Sequence, residues 1–122
     1  MVAFKEIDNH VTLNDQLKED GGPVVLINLF TVDPKDADSL LAAWADDAAY
    51  MKRQPGFIST QLHRGIAGSG AFLNYAVWES VEHFRRAFEN PEFRAKLGHY
   101  PVSTVASPHL FRKVSVAGIC VA

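Results

Sequence analysis

Two side chains on one short run have the types and spacing to act together on a substrate. In Asn74-Tyr75-Ala76-Val77-Trp78-Glu79-Ser80, a strand period of two puts Phe72, Asn74, Ala76 and Trp78 on one face and Leu73, Tyr75 and Val77 on the other. An amide and an indole therefore leave the same side of a mostly apolar strand. The Asn74 NH2 group can donate to a substrate oxygen that gains negative charge during reaction. The Trp78 indole offers a flat apolar surface and one N–H donor. Their Cα atoms would lie about 13 Å apart at roughly 3.3 Å per residue, a span that suits a polycyclic or otherwise extended aromatic ligand. Each residue also has a structural reading. A backbone group or a bound water could satisfy the Asn74 amide, whose burial without partners costs on the order of 1–3 kcal/mol. A tryptophan ending a strand commonly belongs to the core.

Asn28 raises the same two readings, because it interrupts the apolar run Val24–Val32 on the face it shares with Leu26 and Phe30. Both a helix-covered side and a subunit interface are open to it. The histidines are His10, His63, His83, His99 and His109, and none has the helical or short-loop spacing typical of metal ligands. Imidazole titrates near neutrality, so His63, His83, His99 or His109 could serve as a general base. His83, beside Phe84, and His99, after Gly98, are the candidates kept, each against a surface or capping role. Gly65 to Gly70 lies between two expected strands and fits a hairpin turn, not a phosphate loop. No Gly-x-Ser-x-Gly elbow occurs, and Asp46-Asp47 is expected on the solvated side of a helix. Nucleotide, flavin and metal chemistry find no positive support, and no cofactor is expected.

These side chains need a scaffold, and the chain supplies the pattern for one. Val24 to Val32 is apolar without alternation, which predicts a strand buried on both faces. Asp33 as N-cap, Pro34 at the first helical position and Asp36 in the first turn open a helix. Its expected apolar stripe is Ala37, Leu40, Leu41, Trp44, Ala48 and Met51, and Gln54-Pro55-Gly56 ends it. Phe57 to Arg64 and Ala71 to Trp78 read as a hairpin. Ser80 can cap a second helix facing inward through Phe84, Ala87 and Phe88, and Asn90-Pro91 restarts it with Phe93 and Leu97 inward. A loop containing Pro101 and Pro108 then leads to a fourth strand, His109 to Gly118. The order β-α-β-β-α-β is the ferredoxin-like split unit, an α+β fold with an antiparallel sheet. Residues 1–22 are expected to form an arm, 23–118 the domain and 119–122 a tail. The first and third strands are apolar on both faces, so a second subunit is expected to cover the sheet face without helices, giving a homodimer.

The 122 residues fit one domain, 48% hydrophobic and 21% charged, with a net charge of −2 from scattered cations. Nucleic acid and anionic membrane surfaces are not expected partners. Cys120 is the single cysteine, so no intrachain disulfide can form. The first residues carry acids early and do not read as a signal peptide, and no stretch approaches the roughly 20 apolar residues of a membrane span. The cytoplasm is the expected compartment.

The succession of a strand, an Asp-Pro-capped helix, a Gln54-Pro55-Gly56-Phe57 turn, a hairpin, residues 74–80 and Asn90-Pro91-Glu92-Phe93 resembles the antibiotic biosynthesis monooxygenase domain family. The resemblance covers about residues 23–117 and is most specific at 74–80. It implies a ferredoxin-like domain that pairs as a dimeric α+β barrel. One branch oxidises polycyclic aromatic polyketides to quinones with O2 and no flavin, haem or metal, and its strand Asn and Trp match Asn74 and Trp78. The resemblance thus implies a catalytic pair, Asn74 and Trp78; Asn28, Trp44, Phe72, Phe84 and Phe88 are the expected substrate contacts. A helical Tyr of some polyketide enzymes falls on Phe84, and their later Arg falls near Leu97, with Lys96 and His99 as neighbours. A second branch degrades haem; its first-strand Asn looks like Asn28, while its helical Trp and haem-ligating His fall on Ala87 and Leu97. The expected function is a cofactor-independent monooxygenase acting on a small aromatic substrate, polyketide-like or quinol, with O2. The alternative is a non-catalytic dimer that binds a small hydrophobic ligand, and a haem-degrading monooxygenase is the third reading, ranked below it.

Overall fold

The computed structural model describes residues 2–121; Met1, at the head of the expected arm, and Ala122, at the end of the expected tail, lie outside them. Elements follow in the order β1 (Ala3–Phe4), α1 (Leu13–Gln16), β2 (Val24–Thr31), α2 (Ala37–Lys52), β3 (Phe57–Arg64), β4 (Ala71–Trp78), α3 (Val81–Glu89), α4 (Pro91–Lys96) and β5 (Val105–Phe111). The β-α-β-β-α-β core is thus the α+β arrangement expected. The sheet order is β1-β5-β2-β4-β3, antiparallel throughout except for the short parallel pair β1–β5.

Local chemistry sets the helix starts. The Asp33 side chain accepts from the Lys35 N–H and caps a 3-10 turn, Pro34–Asp36, that runs into α2. The Ser80 hydroxyl accepts from the His83 N–H to start α3, and Asn90 does the same for α4 through the Glu92 N–H. After α2 the chain turns through Gly56 at φ +84°, where a Cβ would lie 2.2 Å from Cγ of His83. Only glycine fits this approach.

Alternation assigns the two sheet faces. Val24, Leu26, Phe30, Phe72, Ala76, Trp78, Ala106 and Leu110 are buried on one face, with Phe84, Ala87, Phe88 and Phe93 of the helices packed into the same core. Leu29 and Tyr75, each 40% exposed, belong to the other face, over which no helix packs among the described residues. The expectation that β2 is buried on both faces therefore holds for one face here.

Two further expectations are corrected. The last strand is Val105–Phe111, not His109–Gly118, and Pro108 sits within it. Proline is tolerated because the carbonyls of Thr104 and Ala106 point to β1, so the ring nitrogen of Pro108 points to that same outer edge, beyond the two residues that β1 pairs. The α2 stripe is also rotated. Its buried residues are Ala37, Leu40, Ala43, Asp47 and Tyr50, whereas Leu41 is 37% exposed.

The arm carries structure that the sequence reading did not predict. Thr12 and Asp15 form a reciprocal capping box on the single turn α1, and Val2, Leu13 and Leu17 are buried in the common core. Gln16 extends the sheet by its side chain: Oε1 accepts from the Leu110 N–H and Nε2 donates to the Leu110 carbonyl, both at 2.9 Å. We expect Gln16→Ala to lower stability by about 1–2 kcal/mol. Hydrogen exchange should show faster loss of protection at Leu110 and along residues 2–17 than at β4.

Candidate active site

The β2–β4 ladder places Asn28 directly opposite Asn74 on the helix-covered face. This closes the choice left open for Asn28: it faces the helices, not the uncovered side. Opposed residues in such a ladder have Cα atoms roughly 4.5–5.5 Å apart, so the two amides are neighbours. Asn74 is half-buried and its Oδ1 accepts from the Thr60 hydroxyl at 2.5 Å. That bond turns the carbonyl oxygen toward β3 and leaves the NH2 group as the free end of the amide. The Asn28 Oδ1 is buried and meets no donor among the described residues.

Asn28 borders a cavity of about 50 Å³ between the sheet and the helices, together with Trp44, Asp47, Phe84, Phe88 and Pro108. The sequence reading did not anticipate Asp47 there. It was expected on the solvated side of α2, but it lies seven residues after Leu40 and four after Ala43, on the stripe that α2 turns inward. Only 8% of Asp47 is exposed. Its Oδ2 accepts from the Tyr100 hydroxyl at 2.8 Å, while Oδ1 is buried and has no partner among the described residues. Asp46, by contrast, is exposed and bound to Lys96 at 3.0 Å, as expected of a solvated carboxylate.

Burial pushes the Asp47 carboxyl up to about 6, against the lowering effects of the Tyr100 hydrogen bond and the Lys96 charge. Burial and the adjoining Asp47 charge hold the Tyr100 hydroxyl above the usual phenol range. Tyr100 also stacks on Phe30 at a centroid distance of 5.8 Å, which ties the carboxylate's partner to β2.

The other expected site residues divide by position. Trp44, Phe84 and Phe88 line the cavity with Asn28. Phe72 and Trp78 are each 1% exposed and belong to the core. The Trp78 ring meets Phe57 and Phe84 edge-on at 5.5 and 5.8 Å, and its indole N–H has no acceptor among the described residues. Phe84 thus stands between Trp78 and the cavity. Neither histidine kept as a base reaches the cavity. His83 Nδ1 lies 2.7 Å from the Ser80 hydroxyl, and the His99 ring is exposed with Nδ1 3.9 Å from Asp46. Among the described residues no group of three His, Cys, Asp or Glu side chains could hold a metal ion, and no helix is long and apolar enough to cross a membrane.

Residues 23–96 match the family profile described as Antibiotic biosynthesis monooxygenase. The chain belongs to the antibiotic biosynthesis monooxygenase family. Deoxynogalonate monooxygenase of Streptomyces nogalater is 36% identical over 74 residues, 61% of this chain and 62% of that protein, so the match spans a little under two thirds of that relative. A mycobilin-producing heme oxygenase of Mycobacterium tuberculosis is 34% identical over 87 residues, 70% of this chain and 83% of its own. The crystal structure of SnoaB, a cofactor-independent oxygenase from Streptomyces nogalater, superposes with a TM-score of 0.69 at 28% identity, covering 79% of this chain and 97% of that one. The resemblance read from the sequence is thus the family found, and the expected enzyme class, a monooxygenase, is the class to which these relatives' names assign them. Family membership leaves each member's cavity chemistry to its own side chains, and here these include a buried carboxylate.

Asp47 has a measurable consequence for stability. An unfolded carboxyl ionises around its ordinary 3.8, whereas the folded one holds its proton up to about 6. Between these values the folded state binds more protons than the unfolded, so this group's contribution falls as pH rises and the penalty is complete above about 6. The difference amounts to roughly 3 kcal/mol. Asp47→Asn keeps an acceptor for Tyr100 and removes the charge. In urea titrations the variant's stability relative to the wild-type protein should rise by about 2–3 kcal/mol from acid to neutral pH. A constant offset would contradict the buried ionisation.

Proposed function

We propose that this protein is a cofactor-independent monooxygenase that oxidises a hydroxylated aromatic compound, polyketide-like or quinol, to a quinone with O2. The observation that carries this reading is a pair of adjacent amides on the helix-covered face: Asn28, which lines an aromatic-walled cavity, and Asn74 beside it in the ladder, with the Asn74 carbonyl tied to Thr60. A fixed amide whose NH2 end is unspent is suited to holding an oxygen that becomes anionic, because the donor needs no reorganisation when charge develops. Trp44, Phe84 and Phe88 supply faces for a planar ring. Support also comes from the names of two relatives, a deoxynogalonate monooxygenase and a cofactor-independent oxygenase. In this reading the substrate loses a hydroxyl proton and the electron-rich anion reduces O2. The two recombine to a hydroperoxide, which loses water to give the quinone. Asn74 donates to the substrate or peroxide oxygen, and Trp78 backs Phe84 from within the core.

The haem chemistry of the mycobacterial relative finds no fit in these side chains. The position matched to a ligating histidine is Leu97, 9% exposed in the apolar core, and the one matched to a helical tryptophan is Ala87. A cavity of about 50 Å³ closed by Phe84 and Phe88 has no imidazole on its wall.

The uncovered sheet face supports a homodimer. Leu29, Tyr75 and Phe111 are each 40% or 41% exposed there, and a hollow of about 490 Å³ lies between Val25, Tyr75, Val77 and Phe111. Packing two such faces together would remove apolar surface at about 25 cal/mol per Å². Sedimentation velocity at micromolar concentration should show a dimer for the wild-type protein and a monomer for Tyr75→Lys; a wild-type monomer would refute the pairing.

For the reaction, metal-free protein should consume O2 with anthrone or a benzoquinol and release the quinone. Asn74→Ala should lower kcat/KM by roughly 10²-fold, the loss typical of one preorganised donor. Equal, background-level uptake by the wild-type protein and Asn74→Ala across such substrates would instead favour a non-catalytic binder of hydrophobic ligands.

A further inference from the structure

Asp47, Thr104 and His109 are the buried polar side chains among the described residues, and of these only Asp47 lines the aromatic-walled cavity. A carboxylate taken out of water must find hydrogen bonds or lose its charge. Asp47 finds one, from Tyr100 to Oδ2, and leaves Oδ1 buried and unpartnered. Asn28 Oδ1 is likewise buried and unpartnered on the same cavity. Two acceptors without donors on one apolar-walled space call for a ligand that brings O–H groups and a flat carbon skeleton. From this geometry we propose that Asp47 is the general base of the reaction, taking the hydroxyl proton of the aromatic substrate at Oδ1, with Tyr100 as its positioning residue. The assignment rests on the monooxygenase reading given above and deepens it.

The charges around Asp47 suit that role. Lys96 is committed to Asp46 at 3.0 Å, and His99 lies beyond it, 3.9 Å from the same carboxylate. Asp47 therefore has a neutral phenol as its hydrogen-bond donor, and the Lys96 charge, spent on Asp46, lowers its carboxyl by less than burial raises it. A carboxyl raised to about 6 is mostly ionised at neutral pH and remains a better proton acceptor than an exposed one. The histidines considered for this task stand outside the cavity.

The steps balance for an anthrone-type substrate in its phenol tautomer. The hydroxyl proton passes to Asp47, and the resulting anion gives one electron to O2, forming a substrate radical and superoxide. Their combination makes the C–O bond, and the peroxide anion takes the proton back from Asp47. Asp47 then removes the remaining hydrogen from that carbon as the O–O bond breaks, and the departing hydroxide takes this proton to leave as water. The net change is CH2 plus O2 to C=O plus H2O, and Asp47 ends as it began. A tricyclic ring needs more than about 50 Å³, and Phe88 and Pro108 also wall a hollow of about 210 Å³ beneath the arm, next to Phe4, Leu13 and Leu17. A tricyclic substrate with its hydroxyl at Asp47 would therefore have to displace the Phe88 ring to extend into the hollow under the arm.

The test pairs kinetics with a spectroscopic readout. O2 uptake with anthrone should rise through about pH 6 in the wild-type protein. Asp47→Asn should lower kcat by roughly 10²–10⁴-fold, with KM little changed and the pH step gone. Tyr100→Phe should move the step to higher pH while keeping most of the plateau rate, because the lost hydrogen bond favoured the carboxylate. In parallel, 2-hydroxyanthraquinone, which is not oxidised further, is bound at a pH where the free dye is neutral. Its phenolate absorbance should develop in the wild-type protein and not in Asp47→Asn. Ionisation of the dye that depends on Asp47 without any O2 uptake would refute the oxidation reading and leave the base assignment standing. O2 uptake or dye ionisation unchanged in Asp47→Asn would overturn the assignment while the oxidation reading survives. Failure of the dye to bind either protein would overturn the cavity as the aromatic site, and the assignment with it.

Discussion

The antiparallel register of β2 on β4 constrains everything that meets the helices. Eight consecutive pairs, from Val24 opposite Trp78 to Thr31 opposite Ala71, decide which side chains share the covered face. Phe30 falls over Phe72 and Leu26 over Ala76, and between these apolar pairs the same register sets Asn28 beside Asn74. A shift of one residue would send the whole apolar set to the open face. The polar pair is therefore held by the burial of its neighbours, and neither amide can leave the covered face, nor Asn28 the cavity floor, while the core stays packed.

Around that floor the protein accepts local instability. Apolar side chains at Asn28 and Asp47 would bury more favourably than oxygen atoms without donors. The rings that close the space form a continuous series, Trp78 to Phe84 to Phe88 to Phe93, with centroids 5.3 to 5.8 Å apart. They exclude water and lower the local dielectric, which strengthens any hydrogen bond that a bound molecule makes to the buried oxygens. The features that weaken the empty cavity are those that would reward a hydroxylated occupant.

Much of this was legible in the sequence, and the failures share a cause. The order of elements, the caps at Ser80 and Asn90 and the inward residues Phe84, Phe88 and Phe93 follow from spacing and local hydrogen bonding, which the chain states directly. The face of Asn28 needed the register, which is a long-range fact. Asp47 was misplaced because its charge was weighed above its helical position; counted from Leu40 and Ala43 it lies on the buried stripe. Pro108 hid the last strand because proline argues against sheet, and only the pairing partners show that its missing N–H points to an edge. Tyr100, more than fifty residues from Asp47 in sequence, left no local sign of its contact. Gln16 and Leu110 are coupled across a separation of 94 residues and were equally hidden.

That last coupling bears on self-association. The sheet has two outer rims, and on the β5 side the β1 segment donates to the carbonyls of Thr104 and Ala106, while further along the Gln16 amide occupies both backbone groups of Leu110. One side chain thus does the work of an additional strand and denies that rim to the backbone of any foreign polypeptide. The barrier against edge-to-edge polymerisation at this rim is then the free energy needed to peel away the N-terminal segment, a local opening that can occur while the core remains intact. Conditions too mild to unfold the protein could therefore still make it sticky from this one side.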